Sequence, residues 1–268
     1  MFFEYGKPNN FLKEDIMIKK IGVQLYTIRK YMETAEDIKN SFAKPKELGY
    51  DEVQTAGCKI PYEDFGKYAK EAGITIVGTH DSFDMMLNDL EQSIKNHKAL
   101  GTTNMGIGGA LSRMKTEEDV IEFIKAANKI ADRIYEEGFK FTYHNHSGEF
   151  IKFNGKTIMD MLVEGLNPEK TSFVLDTYWV QHGGGDVRYW IEKLAGRIDI
   201  LHLKDMGRDN NGPYITEIGN GNLYFDGIIE TALKAGVKYF VVEQDSCPGD
   251  PFDSLKISSD YIHARYMK

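Results

Sequence analysis

The chain has 268 residues, 41% hydrophobic, 12% aromatic and 28% charged, a balance that supports a large core and excludes disorder, collagen-like repeats and small disulfide scaffolds. With 41 acidic against 33 basic residues the formal charge is −8, which gives no electrostatic footing for nucleic acid or polyphosphate. No apolar run approaches the roughly 20 residues of a membrane span.

The opening stretch, MFFEYGKPNNFLKEDIMIKK, lacks the basic-then-apolar order of a secretory signal, so a cytoplasmic protein is expected. Its expected partner is a small molecule, with neither nucleic acid nor membrane involved and a homo-oligomer allowed. Cys58 and Cys247 are too few and too far apart for a disulfide framework or a paired-cysteine metal site. A metal would have to be held by His and carboxylates.

Residues 1–18 precede the periodic part of the chain as an N-terminal extension, and residues 19–268 carry no linker that would divide them. Apolar-periodic stretches end at Gly49, Gly73, Gly101, Gly138, Gly165, Gly196 and Gly236, and an extended segment follows each one. The expected strands are Ile21 to Tyr26, Asp51 to Gln54, Ile74 to Thr79, Thr103 to Ile107, Phe139 to Tyr143, Ser172 to Leu175, Ile198 to Leu203 and Tyr239 to Val242. Several are apolar on consecutive positions, as parallel strands covered on both faces are. The first helix opens at Thr34 with Ile38, Phe42 and Leu48 on one face, and Pro45 should kink or interrupt it. Pro61 starts the second, ahead of Phe65, Tyr68, Ala69 and Ala72. A long helix follows Thr116, with Glu117, Glu118 and Asp119 in its first turn and Val120, Phe123, Ile124, Ala127, Ala131 and Ile134 at three- and four-residue steps. Eight strand–helix units at a spacing of about 25 to 40 residues predict a (β/α)₈ TIM barrel, eight parallel strands inside a ring of helices. No phosphate-cradling glycine motif follows the first strand, which disfavours an open nucleotide-binding sheet.

In such a barrel the chemistry sits at the carboxyl ends of the strands. The fifth ends in YHNHSGEF, with His144, His146 and Glu149; the sixth ends at Asp176; the seventh carries His202; the eighth ends at Glu243. Lone buried carboxylates are costly, and a divalent ion would satisfy Asp176 and Glu243 together with His202. Lys204, two residues past His202, shares its face and would either stabilise an oxyanion or pair with Asp205. His97 and His263 are expected to be structural or on the surface.

The stretches IGVQLYTIR, LGYDEVQTAG, GITIVGTH, YHNHSGEF, LDTYWVQHGG, ILHLKD, EIGNGNLYF and VVEQD, spread from about residue 20 to residue 265, give the chain a specific likeness. It resembles the sugar phosphate isomerase/epimerase superfamily, the xylose isomerase-like barrels that include inosose dehydratase, ketose 3-epimerases, hydroxypyruvate isomerase and endonuclease IV. Its YHNH and LDTYW signatures look most like the inosose dehydratase-like branch. The resemblance implies a divalent cation, Mn, Mg or Zn, held at the ends of the last four barrel strands. Carried across, the ligand positions fall on His144, Asp176, His202 and Glu243, with His144 where the epimerases have Glu. It implies a carbohydrate substrate, a keto-sugar, keto-inositol or related compound, and a shared first step of proton abstraction to an enediolate. Glu243 is the expected base, His144 or His146 handles the second proton, and Lys204 supports the developing charge. His80 and Glu217 match substrate-side positions of the family, and Tyr26 and Trp179 are suited to packing on a sugar ring. The outcome would be isomerisation, epimerisation or, as in inosose dehydratase, dehydration. The rival readings are a non-catalytic sugar-binding barrel and an endonuclease IV-like enzyme; the charge of −8 opposes the second.

Overall fold

The computed structural model describes residues 17–267. The expected extension over residues 1–18 lies outside them except for its last two residues, and Ile18 is buried in a bridge to Met267. Eight parallel strands form one sheet: β1 (Gly22–Gln24), β2 (Glu52–Thr55), β3 (Thr75–Thr79), β4 (Asn104–Ile107), β5 (Lys140–His144), β6 (Thr171–Asp176), β7 (Ile198–Leu203) and β8 (Tyr239–Val242). Their order is β3-β2-β1-β8-β7-β6-β5-β4. Every residue of β1, β2, β4, β6 and β7 is buried, which explains the unbroken apolar runs. Between β3 and β4 side chains complete the closure. Thr79 Oγ1 accepts the Gly106 N–H at 3.0 Å, Asn104 Nδ2 donates to the Val77 carbonyl at 2.8 Å, and Asp81 bridges to Ile107.

Ten helices are present among the described residues: α1 (Ala35–Glu47), α2 (Tyr62–Glu71), α3 (Phe83–Asn88), α4 (Leu90–Leu100), α5 (Glu117–Tyr135), α6 (Ile158–Gly165), α7 (Thr177–His182), α8 (Val187–Lys193), α9 (Phe225–Lys234) and α10 (Pro251–Tyr266). The caps are chemical. In α1 and α5 the Thr34 and Thr116 side chains accept the N–H of Asp37 and Asp119, whose carboxylates return the bond. The buried stripe of α5, Val120, Phe123, Ala127, Ile130, Ala131 and Ile134, faces the sheet. None of the described helices is long and apolar enough to cross a membrane.

The barrel agrees with the sequence pattern, with four local corrections. The first strand stops at Gln24 rather than Tyr26, because the Gln24 side chain accepts the Tyr26 N–H and turns the chain into a 3₁₀ helix over Leu25–Tyr31. Pro45 does not interrupt α1. It falls in the last turn, so the one bond it removes, to the Ser41 carbonyl, lies at the end of the helix, and its own carbonyl takes the N–H of Leu48 and Tyr50 to close the helix. Gly165 is the last residue of α6 rather than a turn beyond it. Finally, two hairpins interrupt the alternation, Lys152–Phe153 with Lys156–Thr157 and Asp205–Asp209 with Gly212–Thr216.

Inside the barrel, Val77, Val174, Ile200 and Val241 form an apolar cluster separate from the sheet–helix core. Side chains two residues apart on a strand share a face, so Val174, Ile200 and Val241 lie one layer beneath Asp176, His202 and Glu243. A Cβ built on Gly78 would meet Ile200 at 2.7 Å, so this layer is filled across the barrel.

Candidate active site

Four adjacent strand ends place their last inward-facing side chains on one spot. His144 ends β5, Asp176 ends β6, His202 lies on β7 and Glu243 follows β8. All four are buried, and one nitrogen or oxygen from each lies within 4.8 Å of the others. His202 Nδ1 is 3.0 Å from Glu243 Oε2 and 3.5 Å from Asp176 Oδ2, and His144 Nε2 is 3.4 Å from Asp176 Oδ2. Asp176 also caps α7 by accepting the Trp179 N–H at 2.9 Å, and Asn145 accepts the Asp176 N–H at 3.0 Å.

Lys204 enters the same cluster. Its Nζ is 2.7 Å from Glu243 Oε2, 3.0 Å from Asp176 Oδ2 and 3.1 Å from Asp245 Oδ1. The alternative pairing with Asp205 is absent because that carboxylate receives the backbone N–H groups of Met206, Gly219, Gly221 and Leu223. Burial opposes the charge on Lys204, but Asp176, Glu243 and Asp245 outweigh it and raise the ammonium pKa. Burial likewise opposes ionisation of Asp176 and Glu243; the Lys204 ammonium, with His202 and His144, holds both carboxyls well below their usual range.

The donors fit a divalent cation. Two carboxylates and two imidazoles converge, and His202 Nδ1 is buried 3.0 Å from Glu243 Oε2 without an aligned hydrogen bond of its own. A lone pair facing carboxylate oxygens in a dry site is stabilised by a cation or a proton between them.

Three further imidazole contacts wall the site. The His80 ring stacks on His144 at 4.7 Å, His146 meets His144 edge-on at 4.6 Å, and Trp179 lies 5.4 Å from His146. Burial pushes the His146 pKa down to about 3, and burial followed by the neighbouring imidazoles takes His80 well below its ordinary value, so both are neutral near pH 7. A cleft of about 410 Å³ opens above them, lined by Tyr26, Ala56, His80, Gly108, His144, His146, Glu243 and Asp245. Among the described residues no Lys or Arg lines it.

The structure thus gathers His80, His144, His146, Asp176, His202, Lys204 and Glu243 and puts Tyr26 at the cleft wall. It does not bring Glu217 there. That carboxylate is buried against α10, taking hydrogen bonds from Ser254 Oγ at 2.7 Å and Gln244 Nε2 at 3.3 Å. Glu149 turns back to cap its own loop through the His146 N–H and the Tyr143 hydroxyl. His97 is structural, bonded to the Ser93 carbonyl and Thr79, and His263 bonds Ser259. Asp245, Gln24 and Gln54 were not singled out in the sequence. Their signal was the one that marked Glu243, a polar residue breaking or ending an apolar run.

Comparison with known proteins agrees with this fold. A family model described as xylose isomerase-like TIM barrel matches residues 42–262. The chain is 28% identical to inosose dehydratase of Geobacillus thermodenitrificans, over 55% of each protein, and 24% identical to that of Mesomycoplasma hyopneumoniae, over 56% of this chain and 55% of the relative. The match spans about half the length of these curated relatives. Among solved structures, a sugar phosphate isomerase/epimerase from Parabacteroides distasonis superposes with a TM-score of 0.79 at 24% identity, covering 93% of this chain and 96% of that one.

Proposed function

The chain belongs to the xylose isomerase-like TIM barrel family, and from that premise we propose that it is a divalent-metal-dependent enzyme acting on a neutral polyhydroxy carbonyl compound, a keto-sugar or keto-inositol. The observation that carries the reading is the convergence of His144, Asp176, His202 and Glu243 at four adjacent strand ends. These residues would hold the cation, which supplies Lewis acidity toward a carbonyl oxygen and so acidifies the adjacent C–H. The two imidazoles favour a transition metal such as Mn or Zn over Mg.

Glu243 is the base. Its pKa is depressed, so it is ionised at neutral pH, and it is the one member of the quartet besides His144 that lines the cleft. It takes the proton from the carbon next to the carbonyl. The electron pair left behind moves onto the carbonyl oxygen, and Lys204, 2.7 Å from Glu243, offers positive charge beside it. The second proton comes from the carboxyl of Glu243, protonated in the first step, or from solvent, and the neutral imidazole of His146 is placed to hydrogen-bond the substrate hydroxyl beside it. Return of a proton to the opposite face or the neighbouring carbon completes epimerisation or isomerisation; proton donation to a departing β-hydroxyl releases water. The inosose dehydratase relatives favour this last outcome as the second reading. Among the described residues the cleft lining holds neither Lys nor Arg, which favours substrates without phosphate.

The shared first step gives the test. The purified protein with Mn²⁺ is expected to incorporate solvent deuterium at the carbon next to the carbonyl of an accepted keto-sugar or keto-inositol. Asp176→Asn is expected to lower both Mn²⁺ binding and exchange by at least tenfold. Full exchange by metal-free protein, or by Asp176→Asn, contradicts the reading.

A further inference from the structure

The hydrogen bonds between β1, β2 and the cleft all take their direction from one donor. The Tyr26 backbone N–H can only donate, and it donates to Gln24 Oε1 at 3.2 Å. The other end of that amide is therefore the NH₂ group, which faces Gln54 Oε1 at 3.0 Å and His80 Nδ1 at 3.2 Å. His80 Nδ1 must accept, so the proton of this imidazole is on Nε2. That atom is buried without a hydrogen-bond partner among the described residues, on a ring that lines the cleft.

The same logic reaches His202. Gln54 Oε1 lies 2.5 Å from His202 Nε2, and a carbonyl oxygen can only accept, so His202 carries a proton on Nε2. Its Nδ1 is thereby the atom turned to Asp176 and Glu243. Turning the Gln54 amide over would set its NH₂ group against that of Gln24. The direction of the whole chain, Tyr26 to Gln24, then to His80 on one branch and through Gln54 to His202 on the other, is therefore unique.

We propose that Gln24, acting with Gln54, is a positioning residue that fixes the proton placement of two imidazoles. His80 is held as an Nε2–H donor toward a substrate oxygen, and His202 is held with Nδ1 directed to the cation site. The role of these atoms toward substrate and cation rests on the function proposed above; the proton placement itself does not.

The experiment is long-range ¹H–¹⁵N correlation NMR of the imidazoles in the full-length, ¹⁵N-labelled protein, with His80→Gln and His202→Gln as assignment controls. His97 is an internal reference of the opposite kind, since its Nδ1 donates to the Ser93 carbonyl at 2.7 Å. Wild type is expected to show Nε2–H at His80 and His202, and Nδ1–H at His97. Gln24→Glu replaces the NH₂ group by an acceptor of the same shape. It is expected to move the His80 proton to Nδ1, leave His97 unchanged, and weaken Mn²⁺ binding by about 10- to 100-fold in calorimetry, the usual effect of removing a group that orients a metal-ligating histidine. Gln24→Met, which removes the amide altogether, is expected to release His80 into a mixture of tautomers. Nδ1–H at His80 in the wild type overturns the proposal, as does an unaltered His80 in both variants. If the wild-type tautomers are found but no Mn²⁺ binds, the proton placement stands and the metal-dependent function falls.

Discussion

Lys204 is a buried ammonium with three carboxylates within about 3 Å, and its energetics differ from those of the surface ion pairs. Removing one partner of a buried pair leaves the other charges uncompensated, typically at about 3–5 kcal/mol. Lys204→Met keeps much of the side-chain volume and is expected to cost the metal-free protein that amount in urea denaturation. Saturating Mn²⁺ should restore most of it, because the ion supplies positive charge to Asp176 and Glu243. Equal stability of wild type and variant without metal would show that the ammonium does not offset these acids. Asp176, His202 and Glu243 were legible in the sequence because each interrupts an apolar run. Which acids would pair with Lys204 was not. Asp245 is 41 residues away and Asp176 is 28, and only barrel closure brings them to the same ammonium.

Asp205, next in the chain, shows how a single carboxylate can order a loop. It accepts four backbone N–H groups, from Met206, Gly219, Gly221 and Leu223, and so folds the segment after the Asp205–Thr216 hairpin back onto the barrel. Hydrogen bonds to a charged acceptor contribute about 1.5–3 kcal/mol each before non-additivity. Asp205→Ala is expected to destabilise the protein by about 2–4 kcal/mol and to accelerate amide exchange at Gly219, Gly221 and Leu223 ahead of the barrel strands; uniform exchange would assign the loop's order elsewhere. Strands and helix ends were readable to within about three residues because caps and glycine turns act locally. Both hairpins carried a local signal too, Asn154-Gly155 at the first turn and Asn210-Asn211, just ahead of Gly212, at the second. The Gln54 to His202 contact carried none, since it joins residues 148 apart.

Taken as a whole, the barrel buries more neutral imidazole than its net charge suggests. His80, His97, His144 and His146 all have pKa values lowered first by burial. An unfolded chain takes up protons on these groups near pH 6.5, while the folded protein does so at lower pH, near 3 for His146. Stability in the metal-free protein is therefore lost as pH falls below about 6.5, at about 1.4 kcal/mol per pH unit for each such proton. Denaturation of the apo protein between pH 7 and 4 should show this slope, and His146→Phe should make it shallower by about one proton. A flat profile above pH 5 would mean that these imidazoles titrate freely in the fold. The unfolded state, not any one contact, sets this dependence.

The apolar layer of Val77, Val174, Ile200 and Val241 closes the barrel directly under the charged groups. The cleft is consequently a cul-de-sac. On the function proposed above, reactant, product and any released water would share this doorway, so a turnover would not begin until the previous occupant had backed out, and a tight product would also be an inhibitor.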